Sequence, residues 1–209
     1  MRAHRSDRVV SMSAIQLIRL NSGTTRKVFR QIAELHADQL KVGLLASFGI
    51  PFLERFYRRA ATDPLAILIA SVKDGEVIGF VMGCVSPFKF HFRMLVRLWP
   101  VITWQLLRRP GHMYRGLSVA RYVGSKSSGP APELLSIVVD PRFQRSGAGA
   151  ELFRDFKLKL LACDVHKFRV TASETQKAAL PFYRKHGGIV ISETNLGGLR
   201  SFTFVMPVI

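Results

Sequence analysis

A chain of 209 residues, 48% hydrophobic and 10% aromatic, is long enough to bury a core and too apolar for a disordered polyelectrolyte. Its 31 Lys and Arg against 14 Asp and Glu leave a formal charge of +17, which calls for an anionic partner such as nucleotide phosphates, nucleic acid or anionic lipid. Cys84 and Cys163 lack metal-site spacing and read as buried thiols of a reducing compartment, and no apolar run is long enough to span a bilayer.

Residues 1–13 are basic and polar with no apolar core, so they read as a flexible terminus rather than a secretory leader, and the folded domain is expected over 14–209. Ile15 to Leu20 alternates apolar and polar residues and predicts a first strand. Thr24 or Thr25 can cap a helix with Val28, Phe29, Ile32, Leu35 and Leu40 on its apolar face. Pro51 suits the first turn of a second helix, with Phe52, Leu53, Phe56, Tyr57 and Ala60 on one side and Arg55, Arg58 and Arg59 on the other. Leu65 to Val72 and Glu76 to Val85 predict two strands, joined by the hairpin turn Lys73-Asp74-Gly75.

An insert of about residues 87–132 follows. From Val77 to Pro132 the chain has no Asp or Glu, against eight Lys and Arg. Phe88, Phe90, Phe92, Trp99 and Trp104 stand beside Arg93, Arg97, Arg108 and Arg109, and Met94 to Arg109 predicts a helix kinked near Pro100. This mixture fits a helix lying on an anionic membrane surface. It also fits a helical lid packed on the sheet, its arginines solvated or facing phosphates. Ser125 to Pro132 reads as a linker.

Leu134 to Val139 is an apolar strand ending in the turn Asp140-Pro141. After it come Gln144, Arg145, Ser146, Gly147, Ala148 and Gly149, and then an amphipathic helix from Ala150 to Cys163. Strand, glycine loop and helix together make an anion site, because glycines admit close approach and the first helical turn presents free N–H groups. Strands over 167–172, 189–193 and 201–206, with a helix carrying Tyr183, complete the chain. Paired metal ligands are absent from the pattern, and so is any cluster of nucleophile and base. Direct attack by an acceptor is therefore preferred to a covalent enzyme intermediate.

Gln144-x-x-Gly147-x-Gly149 after Val-Asp-Pro resembles the acetyl-CoA signature of the GNAT family of N-acetyltransferases. About thirty residues on, Gln176-Lys177-Ala178-Ala179-Leu180-Pro181-Phe182-Tyr183-Arg184-Lys185-His186-Gly187 resembles that family's second motif, with Gln176 where Asn is frequent and Gly188 where Phe is usual. The resemblance is close from Glu133 to about Gly188. It implies a mixed α/β fold, an α+β arrangement with helices on both faces of the sheet and the helical, basic insert between the third and fourth strands. It further implies acetyl-CoA as co-substrate, no metal, and transfer to a primary amine of a small molecule or sugar. The backbone of residues 144–149 would cradle the pyrophosphate. Ile137, Val138 and Val139 would pair with pantetheine like an added strand, the Val139 N–H facing the thioester oxygen, and Gln176 would offer pantetheine an amide.

Tyr183 is then the candidate general acid, since a phenol stays neutral near pH 7 and can protonate a leaving thiolate. Glu133 is the candidate general base, needing a raised pKa or a water relay, and His36 is the alternative base. The acceptor pocket would lie between the helix pair of residues 36–57 and the insert. The implied location is the cytoplasm, peripheral to the membrane if the insert lies on lipid. Two other classes compete: an acyl-CoA-binding or membrane-surface protein of the same fold without catalysis, and a nucleic-acid binder. The second fits poorly, because the basic residues are dispersed and match no nucleic-acid motif.

Overall fold

The computed structural model describes residues 14–41, 44–108, 131–196 and 199–209. The expected flexible terminus of residues 1–13 and the second part of the insert, 109–130, lie outside them. In chain order the described elements are β1 (Gln16–Arg19), α1 (Arg26–Gln39), the short α2 (Leu44–Ser47), α3 (Ile50–Ala61), β2 (Ala66–Lys73), β3 (Glu76–Cys84), α4 (Pro87–Arg108), β4 (Glu133–Val139), α5 (Ala148–Leu161), β5 (Lys167–Ser173), α6 (Ala179–Lys185), β6 (Ile189–Leu196) and β7 (Leu199–Pro207).

The seven strands form one sheet in the order β1-β2-β3-β4-β5-β7-β6. Every neighbouring pair is antiparallel except β4 and β5, which run parallel. Asp74 and Gly75 both take positive φ, 53° and 76°, as the tight turn between β2 and β3 requires. The inner strands bury both faces and so read as nearly continuous apolar runs. On one face Leu68, Ala70, Phe80, Met82 and Val138 pack with α1, α3 and α4. On the other Ile67, Ile69, Val81 and Leu134 pack with α5 and α6 through Phe153, Phe156 and Tyr183.

Helix α4 starts at Pro87, seven residues before the position its apolar spacing marks. The Ser86 carbonyl accepts from the Phe90 N–H, and Pro87 occupies the first turn, where its missing N–H removes no helical bond. The helix runs on through Pro100, and Thr103 Oγ1 donates to the Trp99 carbonyl at 2.7 Å. Cys84 is buried as expected, but Cys163 is exposed just past the end of α5 and corrects the reading of two buried thiols; both are free.

Candidate functional site

The glycine loop is a strand-to-helix turn held open by its backbone. Asp140 Oδ1 accepts from the Arg142 N–H at 2.9 Å, and both carboxylate oxygens engage the Arg142 guanidinium. These bonds hold the Asp140 carboxyl below its ordinary range and fix the single turn of 3-10 helix over Pro141–Phe143. Arg145 and Gly147 both take positive φ, 64° and 91°. Gly147 caps α5 with no side-chain hydrogen bond. No atom lies within 4 Å of a Cβ built there, so glycine is required by the backbone angle and not by crowding. The N–H groups of Gly149 and Ala150 in the first turn of α5 have no intrahelical acceptor, and the loop is exposed from Gln144 through Gly147.

Directly beneath the loop the sheet opens. The β4–β5 ladder has only two residue pairs, Glu133 with Arg169 and Leu134 with Val170. A bulge starts the parting: Met82 pairs with Ser136 and Gly83 with Leu134, so Leu135 is an extra residue that bends β4. Beyond it Ile137 to Val139 still pair with β3 but have left β5. The parity of their peptide groups follows from the Asp140 N–H bonding the Ile78 carbonyl at 2.8 Å. That makes Ile78 and Asp140 a hydrogen-bonded pair, so in an alternating antiparallel ladder Val138 bonds β3 while Ile137 and Val139 turn their N–H and C=O groups into the gap. In agreement, the Val139 carbonyl accepts from Gln144 Nε2 at 3.3 Å, on the loop side.

Tyr183 sits on α6 and is 3% exposed, its ring 6.3 Å from Phe153 and 5.7 Å from Phe204. Burial pushes its phenol well above the ordinary tyrosine range, so it stays protonated at neutral pH. Gln176 uses its amide oxygen locally. Its Oε1 accepts from the Ser173 N–H at 2.9 Å and its N–H donates to the Ser173 carbonyl, so the amide oxygen closes the turn after β5. Gly188, where the second motif usually carries Phe, has no space for one: a Cβ there would stand 2.5 Å from Met206 Sδ and 2.8 Å from the Tyr183 carbonyl.

On the sheet's other face Glu133 starts β4 opposite Cys84. Burial raises its carboxyl above the usual range, and the Arg169 guanidinium draws it part of the way back. His36 is 5% exposed and stacks on Phe80 with ring centres 6.4 Å apart. Its Nδ1 is 2.6 Å from the Tyr57 hydroxyl, and burial lowers its pKa to about 4. It is therefore a packed neutral imidazole. Burial drives the Tyr57 phenol upward, and a hydrogen bond with the Ser136 side chain partly offsets this. Buried His36 and Tyr57 and half-buried Ser136 thus form a polar chain from α1 through α3 to the bulged part of β4. It leaves no mark in the sequence, because Tyr57 follows the apolar spacing of α3 as any core aromatic would.

Arg93 and Arg97 of α4 are neither freely solvated nor turned toward phosphates. Arg93 Nε and Arg97 Nη1 lie 3.1 and 2.9 Å from Asp63 Oδ2, whose side chain is fully buried. Among the described residues no group of three or more His, Cys, Asp or Glu is arranged to hold a metal ion.

A loop of free N–H groups beside an unpaired strand edge can take an elongated ligand that is anionic at one end and amide-rich along its length. The family model described as Acetyltransferase (GNAT) family matches residues 29–188. An N-acetyltransferase from Staphylococcus aureus Mu50 superposes with a TM-score of 0.63 at 12% identity, over 94% of this chain and 100% of that one. NAA60 from Arabidopsis thaliana, solved with acetyl-CoA, gives 0.57 at 14% identity over 93% and 98%. The ribosomal-protein-S18-alanine N-acetyltransferase from Escherichia coli gives 0.54 at 15% over 93% and 94%. At these identities the likeness is one of fold. No curated protein sequence matches the chain.

Proposed function

Because the chain belongs to the GNAT acetyltransferase family, we propose that it transfers the acetyl group of acetyl-CoA directly to a primary amine of a small-molecule or sugar acceptor, within a ternary complex. The observation that carries this reading is the gap between β4 and β5 below the glycine loop. There the Ile137 and Val139 peptide groups turn away from β3 and have no β5 partner, on the strand that leads through the glycine loop into α5. The pantetheine amides would complete that edge, and the pyrophosphate would meet the N–H groups of Gly147, Ala148, Gly149 and Ala150, with Arg145 adding charge.

Each chemical step has a residue. Glu133, through a water, takes the proton of the acceptor ammonium, a task its raised pKa favours over that of an ordinary carboxylate. The Val139 N–H holds the negative charge that builds on the thioester oxygen as the amine nitrogen attacks the carbonyl carbon. Tyr183 gives its phenolic proton to the sulfur as the carbon–sulfur bond breaks. Free thiols at Cys84 and Cys163 suit a reducing compartment, and the cytoplasm is the proposed location.

Thermal unfolding with acetyl-CoA, followed by CoA release over a panel of amines, tests the reading. A ligand at a hundred times its dissociation constant stabilises the fold by about 2.7 kcal/mol, and the midpoint rises accordingly. Gly147→Val should abolish that shift, since it obstructs the loop and disfavours the 91° φ. The variant's own fold should lose only about 1–2 kcal/mol. A shift without CoA release over the whole panel would reduce the protein to an acyl-CoA binder, and no shift at all would overturn the donor site.

A further inference from the structure

Helix α4 presents two apolar faces. Phe90, Met94 and Leu98 are at most 4% exposed and join the core of α1 and α3. Phe88, Phe92, Leu95, Val96 and Trp99 are 76, 61, 48, 59 and 57% exposed. Their spacing of i, i+4, i+7, i+8 and i+11 lines them along one outer face. A core-packing helix ordinarily turns polar residues outward, and a row of five large apolar side chains on a protein surface marks a contact site.

The surroundings of the stripe identify its occupant. Lys89 is exposed beside it. Arg93 and Arg97, on a different flank of α4 from the stripe, bind Asp63 and so hold the helix against the end of α3 with its outer face turned to solvent. No acidic residue occurs from Val77 to Pro132, and the whole chain carries +17. Two copies meeting through this face would bring those charges together, which opposes self-association. The stripe is too short to cross a bilayer, and no described helix is long and apolar enough to do so.

We propose that the outer face of α4, Phe88 to Trp99, is a docking surface for an anionic phospholipid bilayer. The aromatic side chains enter the headgroup–acyl boundary while Lys89 beside them meets the lipid phosphates. The proposal goes beyond acetyl transfer and does not depend on it, since no residue of the glycine loop or of the β4–β5 gap takes part. Docking in this way puts the α3–α4 side, which faces the expected acceptor pocket, against the membrane.

The test is flotation of the full chain with large vesicles of phosphatidylcholine alone and of phosphatidylcholine with one quarter phosphatidylglycerol, at 0.1 M salt. Anionic vesicles should bind at least tenfold more tightly than neutral ones. The double variant Phe92→Ser/Trp99→Ser should bind anionic vesicles at least tenfold more weakly than wild type while keeping its unfolding midpoint, since both side chains are exposed. In a Trp104→Phe background, Trp99 emission should shift to shorter wavelength with anionic vesicles. No binding, equal binding by the double variant, or stabilisation by heparin without vesicle binding would overturn the proposal. So would a dimer in light scattering that the double variant dissolves.

Discussion

Burial raises the Glu133 carboxyl above its usual range, and that gives its activity and its stability opposite pH signs. As the proposed base it would work only when ionised, so the rate should fall as pH drops through a pKa higher than that of a free glutamate. In stability the sign reverses. A group whose folded pKa lies above its unfolded value contributes fully below the unfolded pKa and loses that contribution as pH rises through the folded one. Glu133→Gln, permanently neutral, should lower kcat about 100-fold or more. Its urea midpoint at pH 8 should lie at or above that of wild type. A variant with unchanged kcat would remove Glu133 from the chemistry. His36 behaves in the contrary way. Its pKa falls from 6.5 to about 4, so its contribution is complete above pH 6.5 and is lost as pH falls toward 4. Linkage puts that loss at about 3 kcal/mol. Urea unfolding at pH 7 and at pH 4.5 should show it, and His36→Gln should flatten the dependence. Glu133 and Tyr183 stand out in the sequence as candidates, one at the start of the strand leading to the glycine loop and the other in the second motif. Tyr57 and Ser136 were not, because a hydrogen bond between residues 79 apart in the chain leaves no local pattern.

At the scale of elements, the strands and helices follow from apolar periodicity and turn residues, and the seven strands come in the chain order that the sequence predicts. The two errors have different causes, one local and one long-range. Helix α4 begins at Pro87 because Ser86 and Pro87 form a helix start, while the apolar spacing becomes regular only farther along. Its arginines looked free in the sequence because their partner, Asp63, lies 30 and 34 residues earlier, on the far side of a two-stranded hairpin. Asp63 also accepts from the Leu65 N–H at 3.0 Å, so one carboxylate fixes both the end of α3 and the start of β2. Asp63→Ala should therefore destabilise the protein by about 2 kcal/mol. That is less than the roughly 3–5 kcal/mol for a fully buried pair, because the arginines it releases retain contact with water. Urea unfolding measures the loss, and limited trypsin digestion should cut α4 faster in the variant. An unchanged midpoint would show that the inner apolar face alone holds the helix.

For the molecule as a whole, +17 on 209 residues is a repulsive load carried by the folded state more than by the expanded chain. Salt screens it over a Debye length of about 10 Å at 0.1 M. The unfolding midpoint should therefore rise by several degrees between 0.02 and 0.5 M sodium chloride, and a flat or falling midpoint would mean that local ion pairs outweigh the net charge. The parting of β4 from β5 has a wider consequence. The sheet has two halves joined along a seam of two residue pairs, with α5 laid across it, its Phe156 against Gly83 of β3 on one side and Phe168 of β5 on the other. On the proposed reading, the half made of β1 to β4 and α1 to α4 would choose the acceptor, while the donor would sit in the seam itself. Mutational drift in the first half can then change what is modified without disturbing how the acetyl group is held. A scaffold divided in this way can acquire new acceptors one helix at a time.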